Sequence, residues 1–212
     1  FHTTLLNVEA EELALLKKYH HSIVAAWMVA SKMEGVDEAK LTERYEVLGE
    51  EAQATFYGKR IVDELNKMQK IAVGAVAPDF SAPLADGGVL ALHETRAKVK
   101  IVNFWASWSK PCRDENVNLL RLYKRYRPKG LEIISVSLDD NKSVWLTAIG
   151  EDGSDWKNVS DMRGPNSVIV VNYRVKTLPC IFILDDENRI VAKNLRGKEL
   201  EKKIDEILKK KK

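Results

Sequence analysis

The segment Lys98–Arg113 constrains the fold of this chain more than any other stretch. Residues 99–105, VKIVNFW, form an apolar run rich in β-branched and aromatic residues, which predicts a strand buried on both faces. A helical pattern follows almost at once, and Cys112 stands where the strand gives way to the helix. The positive end of a helix dipole lowers the pKa of a thiol and favours the reactive thiolate. The sequence therefore predicts a reactive thiol at a helix start.

The size and charge of the chain narrow the classes of protein it can belong to. With 212 residues and 45% hydrophobic content, it can form one domain of ordinary size plus an extension. The net charge of +3 comes from 34 basic and 31 acidic residues spread along the chain, so no nucleic-acid partner is expected. The longest apolar candidate, Ile23–Ala30, is far shorter than the roughly 20 residues that span a bilayer. We therefore expect no membrane span in this chain.

Two further features bear on location and on metal binding. The sequence begins at Phe1, and we expect that processing or cloning removed an N-terminal part, together with any signal or lipid anchor. The two cysteines are too few for a disulfide framework and have the wrong spacing for a metal cluster. The neighbouring His20 and His21 point to different helix faces and have no third ligand nearby. We expect neither a metal site nor a cofactor.

Residues 1–72 read as a helical extension. A stripe with alternating steps of three and four predicts one amphipathic helix that ends at Gly35, and its members are Leu13, Leu16, His20, Ile23, Trp27 and Ala30. Asp37 is placed to cap a second helix, and a further stretch carries Ile61, Leu65 and Met68. Glycine and proline appear in residues 73–80, so we place the boundary of a second domain, 73–212, at this change in composition.

The second domain alternates strands and helices. A hairpin turn is predicted at residues 85–88, a helix at 116–127 and a second apolar strand at 131–138. Strand, helix and strand in this order imply a right-handed parallel crossover, which is the unit of an open α/β sheet. Further helices are expected at 140–149 and 166–173, and a hairpin turn at 185–188. The closing helix is striped by Leu200, Ile204, Ile207 and Leu208.

Several ordered motifs resemble one known family. FWASWSKPCRDE, residues 104–115, resembles the FWASWCxPCxxE segment of thioredoxin-like proteins, specifically the TlpA/ResA branch of envelope thiol-disulfide oxidoreductases, which is related to AhpC/TSA. APDF, residues 77–80, resembles the opening hairpin of the same domains, and residues 175–184 resemble their cis-proline loop, with Pro179 as the proline. The resemblance spans about 74–208. It implies an α/β, thioredoxin-like mixed sheet flanked by helices, behind the all-helical extension, and a periplasmic or cell-envelope location.

The chain departs from that family at one position. The attacking cysteine of the family falls on Ser109, and only the second cysteine remains, as Cys112. A serine hydroxyl has no accessible anion at neutral pH, and no neighbouring base is evident in the sequence, so we expect Ser109 to serve as a helix cap. Two explanations stay open. Either the serine is native and the site is degenerate, or a cysteine was replaced deliberately in an ordinary dithiol oxidoreductase.

Cys112 has three interpretations. It can be a buried, unreactive thiol that behaves as a small hydrophobe. It can pair with Cys180 as a second thiol, since the resemblance places the residue after Pro179 near the active-site helix; this is the less expected outcome. It can be a peroxide-reducing cysteine, because peroxiredoxins hold theirs three residues after Thr or Ser, but Trp105 stands where that family has a proline. The preferred interpretation is a dithiol-exchange site that lacks its attacking cysteine in the present sequence.

The resemblance also assigns other site residues. Glu115 matches the active-site glutamate of the ResA type, which tunes cysteine acidity, and Asn103 occupies the place of the buried aspartate of plain thioredoxins. An extended substrate peptide would pair with the chain before the proline, in a groove lined by Trp108, Lys110, Pro111, Leu178 and Pro179. Partners would be a polypeptide thiol or disulfide substrate or a redox partner protein. The expected function is thiol-disulfide exchange impaired by Ser109; a non-catalytic polypeptide-binding module is the alternative.

Overall fold

The computed structural model describes residues 2–210, with side chains for residues 8–209. Contacts divide the chain into two compact units, Phe1–Gln69 and Lys70–Lys212. The boundary that composition suggests, after residue 72, lies a few residues further along. No helix within residues 2–210 combines the length and the apolar character needed to cross a membrane.

The first unit is helical. Its elements are α1 (His2–Lys18), α2 (Ile23–Ser31), α3 (Glu38–Glu46), α4 (Glu50–Gln53) and α5 (Phe56–Gln69). The helices bury a core that includes Leu16, Ala26, Val29, Leu41, Ile61, Leu65 and Met68. Asp37 caps α3, as predicted, by accepting a hydrogen bond from the backbone N–H of Lys40 at 2.8 Å.

The single long helix predicted from Leu13 to Ala30 is wrong. The chain turns after α1, and the side chain of Ser22 accepts a hydrogen bond from the N–H of Val24, which starts α2 afresh. Because the turn rotates α2 relative to the predicted stripe, Ile23 and Trp27 are 54% and 48% exposed and do not pack in the core. The apolar spacing of three and four residues continues across the turn between α1 and α2, so the spacing alone does not reveal the turn.

The second unit begins with a two-stranded antiparallel hairpin, β1 (Ser81–Pro83) and β2 (Val89–Ala91). The following elements are β3 (Val99–Trp105), α6 (Lys110–Tyr126), β4 (Leu131–Ser137), α7 (Lys142–Asp152), β5 (Lys157–Val159), α8 (Val168–Asn172), β6 (Cys180–Asp185), β7 (Ile190–Lys193) and α9 (Gly197–Lys210). Single 3₁₀ turns lie at Arg127–Lys129 and Gly164–Asn166.

Five strands form the main sheet, in the order β5-β4-β3-β6-β7. β4 runs parallel to β3 and β5, whereas β6 is antiparallel to β3 and β7 is antiparallel to β6. Every residue of β3, the central strand, is buried, as its composition predicted. The mixed α/β sheet flanked by helices confirms the predicted fold class.

Successive side chains of β3 point to opposite faces of the sheet. Val102 and Phe104 face one core, where the Phe104 ring lies 5.1 Å from the Tyr173 ring. Val99 and Ile101 face a second core against α6 and α9, which contribute Leu119, Leu122, Leu200 and Ile204. The buried sheet thus fixes the end of β3, where the chain passes into α6.

Candidate thiol site at the start of helix α6

Four residues connect β3 to α6, and two predicted site residues, Trp108 and Ser109, are among them. Ser109 is the residue that precedes the helix, and Pro111 lies in the first turn. The N–H of Cys112 donates to the carbonyl oxygen of Ser109 at 3.0 Å, which closes that turn. The strand-to-helix connection therefore places the Cys112 thiol at the helix start.

The role expected for Ser109 as a side-chain cap is wrong. Ser109 has the backbone conformation of a capping residue, but its side chain makes no capping hydrogen bond. Its hydroxyl is hydrogen-bonded to the Cys112 thiol instead, and Ser109 is buried. A small polar group is thus held directly against the sulfur.

The acidity expected of Cys112 is also wrong. The residue is 0% exposed and packs with Trp105, Trp145 and Ala148. Burial raises the pKa of Cys112, because the thiolate loses its hydration. Hydrogen bonds from Ser109 and the backbone of Ala106 lower this pKa, but by less than burial raises it. Dehydration therefore outweighs these hydrogen bonds, and the pKa of Cys112 lies above its ordinary value.

Cys180 lies on the other face of the sheet. It pairs directly with Phe104 in the register of β3 and β6 and packs in the same core as Phe104, whereas Cys112 packs against Trp105. Both thiols are free. Burial raises the pKa of Cys180 to about 11. The geometry gives no support to a disulfide between Cys112 and Cys180.

Thiol counting tests this arrangement. We expect neither Cys112 nor Cys180 to react rapidly with a disulfide reagent such as DTNB in the folded chain, because both side chains are buried. After unfolding in denaturant without reductant, both of the chain's 2 cysteines should react. Fewer than two titratable thiols in the unfolded, non-reduced protein would contradict the free state of the pair.

Glu115 is a buried carboxyl group one turn after Cys112. Its Oε2 accepts a hydrogen bond from Asn118 at 3.4 Å, while Oε1 has no partner among the described residues. Burial raises the pKa of Glu115, and Asn118 and the charge of Arg196 oppose this rise. A carboxyl group of this kind holds its proton to higher pH than a free glutamate does.

The predicted groove residues differ in exposure. Trp108 is 69% exposed, and Pro111 is exposed next to it. Lys110 lies on the surface, where its Nζ pairs with Asp114 at 2.9 Å. The peptide bond between Leu178 and Pro179 is cis. Leu178 is half-buried and packs against the cluster that contains Cys112, so the proline loop lies beside the helix start.

Arg196 is a site residue that the sequence reasoning missed. Its Nη2 donates a hydrogen bond to the carbonyl oxygen of Pro179 at 2.8 Å, and its positive charge lowers the pKa of Cys112, Glu115 and Cys180. Antiparallel pairing of β6 and β7 brings the end of β7 to the start of β6. That topology is the signal that a sequence analysis could have used.

Asp139 is a second missed residue. It is buried just after β4, and it accepts hydrogen bonds from the N–H and the hydroxyl of Ser107 at 3.0 and 2.6 Å and from the Ser137 hydroxyl at 2.6 Å. Its negative charge raises the pKa of Cys112, though by less than burial does. Because the carboxyl ends of the parallel strands β3 and β4 meet at one sheet edge, residues that follow them come together.

A salt-bridge network joins α6 to α7 behind the thiol. Nε of Arg113 donates to both carboxylate oxygens of Asp152 at 2.7 and 2.8 Å, and Nη2 pairs with Glu151 at 2.8 Å. Asn116 donates to the same Asp152 carboxylate at 2.7 Å. The paired side chains tie α6 to α7.

An open groove of about 380 Å³ runs between Trp108 and α7. Its walls include Ser107, Trp108, Arg113, Asp140, Val144 and Thr147. Among residues 8–209 no three His, Cys, Asp or Glu side chains gather so as to hold a metal ion. The groove has the mixed apolar and polar walls that suit a polypeptide segment.

The fold and the site together define the class of protein. A five-stranded mixed sheet, a cysteine at the start of the helix after the central strand, and a proline loop beside it are the parts of a thioredoxin-like domain. The model of the AhpC/TSA family matches residues 73–193, and this chain belongs to that family.

The proteins that this chain resembles are named as thiol-disulfide oxidoreductases or interchange proteins. The thiol-disulfide oxidoreductase ResA of Bacillus cereus is 28% identical over 145 residues, which cover 68% of this chain and 82% of ResA. The thiol:disulfide interchange protein HelX of Rhodobacter capsulatus is 33% identical over 139 residues, covering 64% of this chain and 70% of HelX. The thioredoxin domain of a thiol-disulfide oxidoreductase from Bacteroides vulgatus matches 65% of this chain and 98% of that structure, with a TM-score of 0.61 and 32% identity.

Proposed function

We propose that this chain is a thiol-disulfide oxidoreductase of the ResA type whose exchange reaction is impaired because Ser109 occupies the place of the attacking cysteine. The observation that carries the proposal is the pair of residues at the start of α6: Ser109, which has no thiol, immediately precedes the helix, and the buried Cys112 lies three residues later. The names of the relatives support thiol-disulfide exchange as the reaction. We propose a polypeptide thiol or disulfide as the substrate and the cell envelope as the location, as the family resemblance implies. We assign the activity to residues 73–212 and treat residues 1–72 as a separate extension.

The chemistry explains why the substitution matters. In exchange, a thiolate attacks one sulfur of a disulfide, forms a mixed disulfide and releases the other sulfur as a thiolate; a second thiolate then resolves the mixed disulfide. Ser109 has no thiol for the first step, and Cys112 is 0% exposed with a raised pKa. The chain therefore retains the resolving position and lacks the attacking one.

The surface around the thiol favours polypeptide binding as a second candidate function. Trp108 is 69% exposed at the mouth of the groove, and an exposed tryptophan beside a groove is typical of a recognition surface. Leu178 lies in the proline loop and does not line that groove; there it would offer its backbone to an extended chain in the manner of a strand partner. A binding module would use this groove without any reaction at Cys112.

Peroxidase chemistry has less support. A peroxide-reducing cysteine needs a thiolate that the peroxide can reach. The Cys112 side chain is fully buried, and its pKa is raised. We infer that this cysteine does not form sulfenic acid readily.

A covalent trap tests the proposed function. We expect a Ser109→Cys, Cys112→Ala double variant to capture envelope polypeptides as complexes that reductant releases, because the mixed disulfide forms but cannot be resolved. The native chain should capture none in this way. Reductant-sensitive capture by the native chain that disappears in Cys112→Ala would contradict the proposal. Equal capture by the native chain and Cys112→Ala, insensitive to reductant, would favour the binding module instead.

A further inference from the structure

We propose that Arg196 is a positioning residue for the thiol site: its guanidinium group holds the carbonyl oxygen of Pro179, in the loop that packs beside the Cys112 cluster, and so keeps a permanent positive charge at the site. The residue lies in the connection between β7 and α9, 84 positions after Cys112 by number (196 − 112), and the motif at the helix start does not include it. Its relevance to exchange rests on the proposed function, whereas its effect on the thiol does not.

The backbone around Arg196 explains how it reaches the site. The N–H of Asn194 donates to the carbonyl oxygen of Ile181 at 2.7 Å, and the Asn194 side-chain oxygen accepts from the N–H of Ile181 at 3.0 Å. Asn194 therefore ties the chain after β7 to the second residue of β6. Gly197 begins α9 with a φ of +52°, in the left-handed region that favours glycine. Arg196 is held between these two fixed points, next to Pro179.

The contact with Pro179 orients the guanidinium group. Nη2 of Arg196 donates to the Pro179 carbonyl oxygen at 2.8 Å. Because this acceptor is neutral, the contact fixes the group without compensating its charge. A guanidinium group is planar and stays protonated at any physiological pH, so the charge that it brings to the site is constant.

The charge acts on the groups that any thiol chemistry here would use. Arg196 lowers the pKa of Cys112 and of Glu115, although burial raises both by more. The charge of Asp139 opposes Arg196 at Cys112, and the hydrogen bonds from Ser109 and Ala106 assist it. Arg196 thus offsets part of the dehydration that makes the Cys112 thiolate unfavourable.

Lys193 supplies a matched control. It is the last residue of β7, three residues before Arg196, and carries the same charge. Both residues lower the pKa of Cys180, but the charges that act on Cys112 are those of Arg196 and Asp139. Removing either positive charge should therefore raise the pKa of Cys180, and only the loss of Arg196 should raise the pKa of Cys112.

The test is an NMR titration of the two cysteines in chains labelled with ¹³C at cysteine Cβ. We expect Arg196→Gln to raise the pKa of Cys112, so that the thiolate fraction below the midpoint falls about three- to tenfold. Arg196→Lys should restore most of this fraction because it keeps the charge. Lys193→Gln should shift the titration of Cys180 and leave that of Cys112 in place.

Two outcomes would overturn the proposal: a Cys112 titration that is the same with Arg196→Gln as with the native chain, or a shift of equal size with Lys193→Gln. Each variant's thermal unfolding is measured alongside, and Arg196→Lys keeps the comparison valid if the glutamine variant unfolds. The titration uses the chain with Ser109 and no activity assay. A failure here is therefore distinct from a failure of the Ser109→Cys variant to reduce disulfides.

Discussion

Replacing Ser109 by cysteine is expected to raise the rate of protein-disulfide reduction by at least about a hundredfold, as is typical when a missing nucleophile is restored. The new thiol would stand at the start of α6, next to Cys112, in the spacing of a dithiol exchange pair. Cys112 and a cysteine at position 109 would lie on the same side of the sheet, whereas Cys112 and Cys180 lie on opposite sides. The measurement is reduction of insulin disulfides with a small dithiol as the electron source.

Ser109→Ala is the matched control for this experiment. It removes the hydroxyl that contacts Cys112 without supplying a sulfur, and it should be as inactive as the native chain. A Ser109→Cys protein that is folded, has three titratable thiols when reduced, and is no more active than Ser109→Ala would show that more than the attacking cysteine is missing.

Asp139→Ala is expected to lower the free energy of unfolding by about 3 kcal/mol, since hydrogen bonds to buried charged groups contribute about 1.5–3 kcal/mol each and the loss leaves donors unsatisfied. The Asp139 carboxylate accepts bonds from the N–H and hydroxyl of Ser107 and from the hydroxyl of Ser137. These bonds anchor the connection that leads to Cys112. Urea unfolding followed by tryptophan fluorescence measures the effect.

The neighbouring Asp140 gives the matched control for Asp139. It is exposed at the groove, so Asp140→Ala should change the free energy of unfolding by no more than about 0.5 kcal/mol. Equal losses for the two substitutions would mean that the hydrogen bonds of Asp139 do not anchor the connection. A second consequence concerns Cys112: without the charge of Asp139, the pKa of Cys112 should fall.

The part of the site that lies within one stretch of sequence could be predicted. Residues 99–105 form a continuous apolar run, and all of them are buried in β3. The helix start at Ser109 and the position of Cys112 follow from the chain order of strand, short polar link and proline. Local pattern was sufficient here because each feature depends on residues close together in the sequence.

The thiol's acidity depends on distant residues and could not be predicted in the same way. The helix start favours the thiolate, but Trp145 from α7 packs over Cys112 and helps to exclude water. Arg196 and Asp139 reach the site from other loops, through the order of the strands. The face on which Cys180 lies requires the register of β6 against β3. These positions depend on the strand order and register of the sheet, which the local sequence pattern does not provide.

The break between α1 and α2 was missed for a different reason. Apolar spacing of three and four continues from Leu16 to Trp27, so the pattern alone favours one helix. The hydrogen bond from the Val24 N–H to the side chain of Ser22 decides the start of α2. A serine in a helical pattern can serve as a cap or lie within the helix, and the periodicity does not distinguish them.

The chain with Ser109 itself provides the most direct test of the central claim, that this thioredoxin-like site holds a resolving thiol and lacks the attacking one. The measurement is the number of protein disulfides reduced per chain, with a small dithiol in excess and the dithiol's own rate subtracted. The account predicts no turnover above that background. Repeated turnover by the Ser109 chain, many disulfides per molecule, would contradict it.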